Sequence, residues 1–470
     1  MCEGPSDHPL LDEEAVNVPI LRWWHWMIIV LTDIIGPFSS DSYIPNIPAM
    51  QKELHASSVE AGLTLQANWL AKGLATIAIG AMADSKRFGR RGALLCAFVL
   101  YVSGTAGSAQ VPASQLGAKL LIVSRVVQGI GESGTVVCSA IARDVLVDVR
   151  ERVRMLALLG TLRPIAIVCA PSLGGLLGSA FGWRNVFRAL SVWGAALFVA
   201  VAAFLPETRP AATISGATFD GFRVVLARLT AGDVGARFAL AAVVILAFGF
   251  AGVLSFLSNV SILFEGRYGL GVVVTSLLIG SVPTVIIINN SVVARLFSRG
   301  RKDQVSDAVS KAVGIIKLSL AGFLVAGAAN LILAFAPLRN PLRTKFPWLL
   351  ADVYLYAYVQ SASVGPTMAI AIEPFGDCAG AAAAFNNIVR TLVSTGVAQA
   401  ATDLVDAFSV RGLFVILAFT AFACQLTWPF LARVRPLRVI PEPLLTEQDS
   451  APPSPVSSGD YVELPCEDSA

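Results

Sequence analysis

Charge is scarce in this chain: only 14% of its 470 residues are Asp, Glu, Lys or Arg, against 55% hydrophobic. With a mean hydropathy of +0.69, that balance excludes an ordinary soluble domain. Apolar runs of about 20 residues recur along nearly the whole length, as bilayer spans do. The net charge of +3 argues against nucleic-acid binding as the main task. Histidine is nearly absent. His8, His25 and His55 are scattered outside the span centres, so neither a histidine metal site nor the nucleophile–base constellation of an embedded enzyme is expected. No GxxxxGK[ST] loop occurs, which removes an ATP-driven pump. No cofactor and no metal are expected. The seven cysteines give no disulfide framework: Cys96, Cys138, Cys169 and Cys424 fall in expected spans, Cys2 and Cys466 in the tails, and Cys378 in a short loop. The first residues are polar and acidic and the first apolar run is already span-length, so no cleavable signal peptide is expected.

What is present is organised around Met27 to Pro48, MIIVLTDIIGPFSSDSYIPNIP. This stretch is apolar enough to cross a bilayer yet carries Asp33 and Asp41. A carboxylate in a span faces a cavity or a partner, because hydrocarbon cannot solvate it. The two acids are roughly 12 Å apart along a helix and roughly 80° apart around it, so both can border one wide cavity. Gly36-Pro37 and Ser39-Ser40 between them allow a local bend.

Hydropathy divides the chain into twelve helices near 24–45, 59–82, 92–110, 117–141, 154–178, 184–205, 238–262, 271–293, 313–336, 348–372, 380–402 and 411–432. The loops at 83–91, 143–152, 206–237 and 294–311 hold most of the Lys and Arg between spans. The positive-inside rule puts them, and both termini, in the cytoplasm. The expected organisation is a disordered tail at 1–22, a six-helix bundle at 23–205, a cytoplasmic connection at 206–237, a second bundle at 238–432 and a disordered tail at 433–470. An echo of the 80–91 loop at 293–302 suggests a parallel repeat. Asp7 to Leu11, DHPLL, resembles an acidic dileucine sorting signal.

Residues 80–91, GAMADSKRFGRR, with Gly80, Asp84, Gly89, Arg90 and Arg91, resemble the signature loop between spans 2 and 3 of the major facilitator superfamily. LIVSRVVQGIG, with Arg125, Gln128, Gly129 and Gly131, resembles the fourth-span motif of its proton-coupled members. AIARD (Ala140 to Asp144), GWRNVF (Gly182 to Phe187), PET (Pro206 to Thr208), DSYIPNIP and AIEPFGDCAGAAAAFNN are similar to segments of the drug:proton antiporter branch with twelve spans, especially the bicyclomycin-resistance-like group. The resemblance implies an all-α membrane protein of two pseudo-symmetric six-helix bundles, with the 80–91 loop as a gating latch. In the fifth span Pro171, Gly174 and Gly175 match the antiporter packing motif, but Ala157, Ala166 and Ala170 replace its other glycines. Antiport is the favoured mode on this resemblance.

The charges within spans pair by depth as Asp33 with Lys72, Asp41 with Arg125, and Glu132 with Arg163, the azimuths being assumed. The alternative for each is a structural ion pair or a snorkelling side chain. Lys72, Glu132 and Arg163 stand where the resembled group has small or apolar residues, which fits a substrate more polar than a lipophilic drug. In the second half one mid-span charge is read, Arg390, beside Asn386 and Asn387, with Gln360, Asn289 and Tyr354, Tyr356 and Tyr358 as further candidates for the cavity wall. The expected proton-coupling set is Asp33, Asp41, Arg125 and Glu132. The expected substrate set is Asp33, Lys72, Arg163, Gln360, Arg390 and Asn386. The leading expectation is a monomeric secondary transporter exporting a small organic compound or drug in exchange for protons. The alternatives are a proton symporter or facilitator importing a polar metabolite, and a transport-silent membrane sensor. A plasma membrane is favoured, an acidic organelle being the alternative.

Overall fold

The computed structural model describes residues 21–146, 149–209, 217–231, 234–266, 268–298, 305–335, 341–372 and 379–427. The dileucine-like motif, the second tail, the turn holding Glu373 and Asp377, and residues 299–302 of the repeat echo lie outside them. Every regular element among the described residues is helical. α1 (Trp23–Asp41) ends in a 3₁₀ turn (Ile44–Asn46) and the short α2 (Ile47–Leu54). There follow α3 (Ser58–Asp84), α4 (Gly89–Gln110), α5 (Gln115–Glu132), α6 (Thr135–Val145), α7 (Val149–Phe181) and α8 (Trp183–Phe204). The connection contributes α9 (Ala217–Ala231). The second half comprises α10 (Val234–Gly266), α11 (Val272–Ser298), α12 (Val305–Phe335), α13 (Pro341–Ile372), α14 (Ala379–Phe408) and α15 (Val410–Gln425). Counting α5 and α6 as one interrupted pass and setting aside α2 and α9, this is the expected twelve-pass plan.

Eight helical segments among the described residues are long and apolar enough to span a bilayer by composition alone. Four passes fall outside that set: α15 is apolar but short, and α3, α13 and α14 carry Lys72, Asp352 and Arg390 respectively. Their polar positions turn inward, which lowers average hydropathy without costing lipid contact. Outward positions such as Val192, Leu318 and Phe335 are 70–74% exposed, as a lipid-facing belt requires.

Helix-to-helix packing rests on small residues. At Gly131 of α5 a Cβ would fall on the backbone of Ala97 and Tyr101 in α4. Gly174 and Gly175, two of the expected packing residues, bring α7 against Ser42 and against Ser276 of α11. Gly80 does not act this way: a Cβ there would meet open space. Two helices are interrupted near the charges. Pro37 sits inside α1, four residues after Asp33, and cannot donate to that carbonyl. The fourth pass breaks at Ser133-Gly134, directly after Glu132, where hydropathy alone reads one continuous helix.

The halves meet at the end away from the basic loops. There Ile44, Ile47 and Met50 share one apolar cluster with Leu254, Val260 and Ile279 of the second half. Ser261 of α10 donates to the carbonyl of Ile44 at 2.7 Å, and Gly62 of α3 abuts Thr402 of α14.

Replacing Gly131 with Leu is expected to lower the melting temperature of purified protein, since forced repacking costs about 1–3 kcal/mol. Gly396→Ala on α14, whose Cβ would meet open space, is expected to leave it unchanged or raise it by removing chain entropy from the unfolded state. Equal effects of the two substitutions in a detergent melt would contradict the close α4–α5 approach.

Candidate functional site

On the basic-loop side of that seal lies a cavity of about 250 Å³ between the halves. Trp69, Lys72 and Gly73 of α3, Arg163 of α7, and Asn387 and Arg390 of α14 line it. Three of the expected substrate residues, Lys72, Arg163 and Arg390, therefore share one wall system. Trp69 packs on Phe250 of α10 across the halves, with ring centroids 5.1 Å apart. Lys72 Nζ lies 5.9 Å from the Trp69 ring, and Arg390 lies 4.8 Å from the Phe250 ring.

The ion pairs differ from those expected. Asp33 is joined to Arg163, which donates from Nε to Oδ2 at 2.7 Å and from Nη2 to Oδ1 at 2.6 Å. Glu132 is joined to Lys72, whose Nζ donates to Oε2 at 3.3 Å. The depths allowed this exchange. Asp33 and Arg163 each lie about nine residues from the cytoplasmic edge of their expected spans, roughly 14 Å at helical rise. Lys72 and Glu132 are at comparable distances from the opposite edge. Rotation about the helix axes decided the pairing, because α1 packs along α7 and turns Asp33 toward it.

The two pairs sit in different surroundings. The Asp33 side chain is fully buried, whereas that of Arg163 is 38% exposed and faces the cavity. Arg163 Nη2 also donates to Ser139 Oγ at 3.3 Å. Glu132 is the hub of a denser network. Its carboxylate accepts from Ser39 Oγ at 2.5 Å, Ser40 Oγ at 2.8 Å, Gln128 Nε2 at 3.0 Å and Asn68 Nδ2 at 3.3 Å, besides Lys72. Five donors from three helices fix the position of this one carboxylate.

Asp41 and Arg125 do not form an ion pair, and neither lines this cavity. Arg125 is fully buried and stacked 4.2 Å from the Tyr43 ring. Its Nε donates to the Thr64 carbonyl at 3.2 Å and its Nη1 to Gln128 Oε1 at 2.7 Å. Gln128 in turn reaches Glu132, so Arg125 connects to the network through a neutral amide. Asp41 is 3% exposed, and its Oδ1 has no hydrogen-bond partner.

Other expected wall residues lie elsewhere. Gln360 is buried against Gly249 of α10, and Asn386 is buried while its neighbour Asn387 takes the wall position. Asn289 is buried and donates to the Tyr358 carbonyl at 2.8 Å and to Ser361 Oγ at 2.6 Å, which ties α11 to α13. Tyr356 lies in the core of the second bundle, its hydroxyl donating to Thr420 Oγ1 at 2.9 Å. The Tyr354 hydroxyl meets Ser281 Oγ at 2.6 Å, and Tyr358 is about half exposed. Asp352 was missed because it falls only a few residues inside an expected span. It is buried and accepts from Asn330 Nδ2 at 2.8 Å.

At the basic end, three motifs converge. Arg90 donates to Asp84 at 2.6 Å and to Asp144 at 2.7 Å. Gly89, at φ +64°, leaves its Cβ position to the Glu207 carboxylate. Glu207 accepts from the backbone N–H groups of Arg90 at 2.8 Å and Arg91 at 3.1 Å, an anion at the N-terminus of α4. Arg91 also donates to the Ala202 carbonyl, and Arg209 Nε donates to the Asp84 carbonyl at 2.8 Å. At the opposite end, Glu53 accepts from Trp183 Nε1 at 2.6 Å and pairs with Arg184.

A double-mutant cycle on melting free energy is expected to give strong coupling between Asp33 and Arg163. Arg163→Met alone strands a buried carboxylate at a cost of about 3–5 kcal/mol, and Asp33→Asn in that background restores much of it. The Asp33–Lys72 cycle is expected to give far less. The reverse ranking would contradict the pairing.

The profile of the Major Facilitator Superfamily matches residues 29–398. The chain is 24% identical over 365 residues to an uncharacterized MFS-type transporter, YdgK, of Bacillus subtilis, covering 77% of this chain and 84% of that one. It is 30% identical over 180 residues to the multidrug resistance protein MdtL of Escherichia coli, covering 38% of this chain and 44% of the relative. It is 28% identical over 186 residues to citrate exporter 1 of Aspergillus niger, covering 39% and 34%. The chain thus aligns with less than half the length of the last two. Among solved structures, the D-xylose-proton symporter superposes with a TM-score of 0.62 at 17% identity, over 86% of this chain and 97% of that chain.

Proposed function

The chain belongs to the Major Facilitator Superfamily, and on that premise we propose that it is a proton-coupled transporter of a small organic compound in which Asp33 carries the proton. It is a multi-pass membrane transporter, not an enzyme. The two bundles, 23–205 and 238–432, rock about the cavity, with 206–237 as their connection. The single observation that carries the coupling is the asymmetry of the Asp33–Arg163 pair: the acid is buried and the base opens onto the cavity.

That asymmetry gives the coupling a sign. A substrate entering the cavity meets Arg163 first. An anionic group that draws the guanidinium away leaves Asp33 in low dielectric without its counter-ion, and a proton then neutralises it. Substrate and proton load together, which is cotransport. Glu132, held by five donors, keeps Lys72 in place. Arg125 extends this network toward the seal through Gln128. Across a surface membrane, as across that of an acidic organelle, the proton gradient then drives substrate into the cytosol. We favour the surface membrane.

Efflux in exchange for protons is the second reading. The names of the multidrug resistance and citrate exporter relatives favour it, as do the antiporter-like motifs. For a cationic substrate it means competition with the proton for Asp33, and such a cation has to displace Arg163 to reach it.

Reconstituted vesicles under an imposed pH gradient separate the two. Labelled organic acids, amines and neutral drugs are offered with the outside acidic or alkaline. Accumulation toward the alkaline side supports cotransport, and accumulation toward the acidic side supports exchange. Asp33→Asn is expected to remove the pH-driven component in either mode. Unchanged gradient-driven uptake by that variant would overturn the assignment of Asp33.

A further inference from the structure

Two of the three cations on the cavity wall are committed to acids, Arg163 to Asp33 and Lys72 to Glu132. Arg390 is not. Among the described residues no carboxylate lies within ion-pair distance of it. Its Nη2 donates to Asn387 Oδ1 at 2.6 Å, a neutral acceptor one turn away on the same helix. Its guanidinium lies over the Phe250 ring, and its Nε is shielded from solvent with no hydrogen-bond partner. The three cations and the two acids paired to the wall leave one positive charge in surplus, and that charge belongs to the second bundle. A guanidinium with no counter-ion and an unsatisfied N–H in a partly dry site is a poor resting arrangement, and it becomes a good one when a carboxylate supplies the missing negative charge.

The rest of the cavity narrows the class of ligand. Its volume of about 250 Å³ is below the ~300–1,000 Å³ of pockets that enclose drug-sized molecules. Hydroxyls of Thr76, Ser133, Thr135, Ser139 and Thr391 lie around it, and the Trp69 ring supplies an apolar face beside Lys72. A cationic drug would meet like charge on both sides.

We propose that Arg390 is the docking cation for the carboxylate of a small organic anion bearing one net negative charge. This rests on the transport reading above and deepens it. The anion's carboxylate pairs with the Arg390 guanidinium where it borders the cavity and neutralises the surplus charge. Its body lies against Trp69, with the wall hydroxyls around it. Because Arg390 belongs to the second bundle while Arg163 and Lys72 belong to the first, one bound anion attracts both halves toward itself and favours closure over it.

The test is equilibrium binding to purified full-length protein in detergent at one pH, with no gradient, so it reads independently of the vesicle assay. Benzoate and lactate, their neutral counterparts benzamide and lactamide, and the cation benzylamine are titrated by thermal shift and calorimetry. At least one of the two carboxylates is expected to bind and to raise the melting temperature, with the amides and benzylamine weaker. Arg390→Gln is expected to weaken that binding by roughly tenfold or more, the factor associated with a charged hydrogen bond. Arg390→Lys, which keeps the charge but not the fork, is expected to fall between, and the ligand-free melting temperature reports whether each variant is folded. Binding of neither carboxylate at millimolar concentration, equal binding of the amides or the amine, or unchanged carboxylate affinity in Arg390→Gln would each overturn the proposal. Arg390-dependent binding without pH-driven transport leaves it standing and removes only the coupling through Asp33.

Discussion

An ionised side chain within a bilayer has to be given a partner by the protein, and the arrangement of the first bundle follows from that constraint. Removing a carboxylate from water costs several kcal/mol even after relaxation, so each buried acid fixes the rotation of the helix that neutralises it. Asp33 sets α7 through Arg163, and Glu132 sets α3 through Lys72. The two acids are solvated in different ways. Asp33 depends on one arginine that is itself within reach of the cavity, whereas Glu132 is surrounded by serines, amides and a lysine from three helices. The first arrangement rests on one ion pair and the second on a five-donor network.

The seal at the far end balances opposing terms in a different way. Its apolar cluster and glycine contacts hold the halves together by close packing. Yet helices that cross it bury polar atoms with no partner: both amide atoms of Gln66, Ser258 Oγ, Asn259 Oδ1 and Gln399 Oε1. Each such group costs about 1–3 kcal/mol relative to a satisfied one. Opening the seal hydrates them while losing the packing. Two packings close in free energy are what alternating access requires, and a seam of unsatisfied amides keeps the closed form from becoming too deep.

The twelve-pass plan and the wall cations Lys72, Arg163 and Arg390 were legible in the sequence, because hydropathy and isolated charges report depth directly. Azimuth was not legible. Asp33 and Arg163 lie at one level, and so do Lys72 and Glu132, but depth arithmetic also permitted the exchanged partners. Nor could depth tell Gln360 and Tyr356, which face their own bundle, from Asn387, which faces the cavity. The motifs AIARD and PET read as separate similarities, yet Asp144 and Glu207 both close on Arg90. Their sequence separation hid a single structure. The break after Glu132 went unread because Ser-Gly within an apolar run is compatible with a continuous helix.

That break and the proline of α1 belong together. A Cβ at Gly36 would touch the carbonyl of Glu132, the Lys72 ammonium and Thr135, so the two irregular stretches are in contact where the charges are. Pro37 withholds an N–H from the Asp33 carbonyl, and Ser133-Gly134 ends the α5 hydrogen-bond ladder one residue past Glu132. Irregular backbone at membrane depth survives only beside a cavity or inside protein, and here it has both. A helix bends most cheaply where its ladder is already incomplete. Asp33 therefore lies on the part of α1 that resists bending least, and that part touches the fourth-pass break whose Ser133 and Thr135 border the cavity.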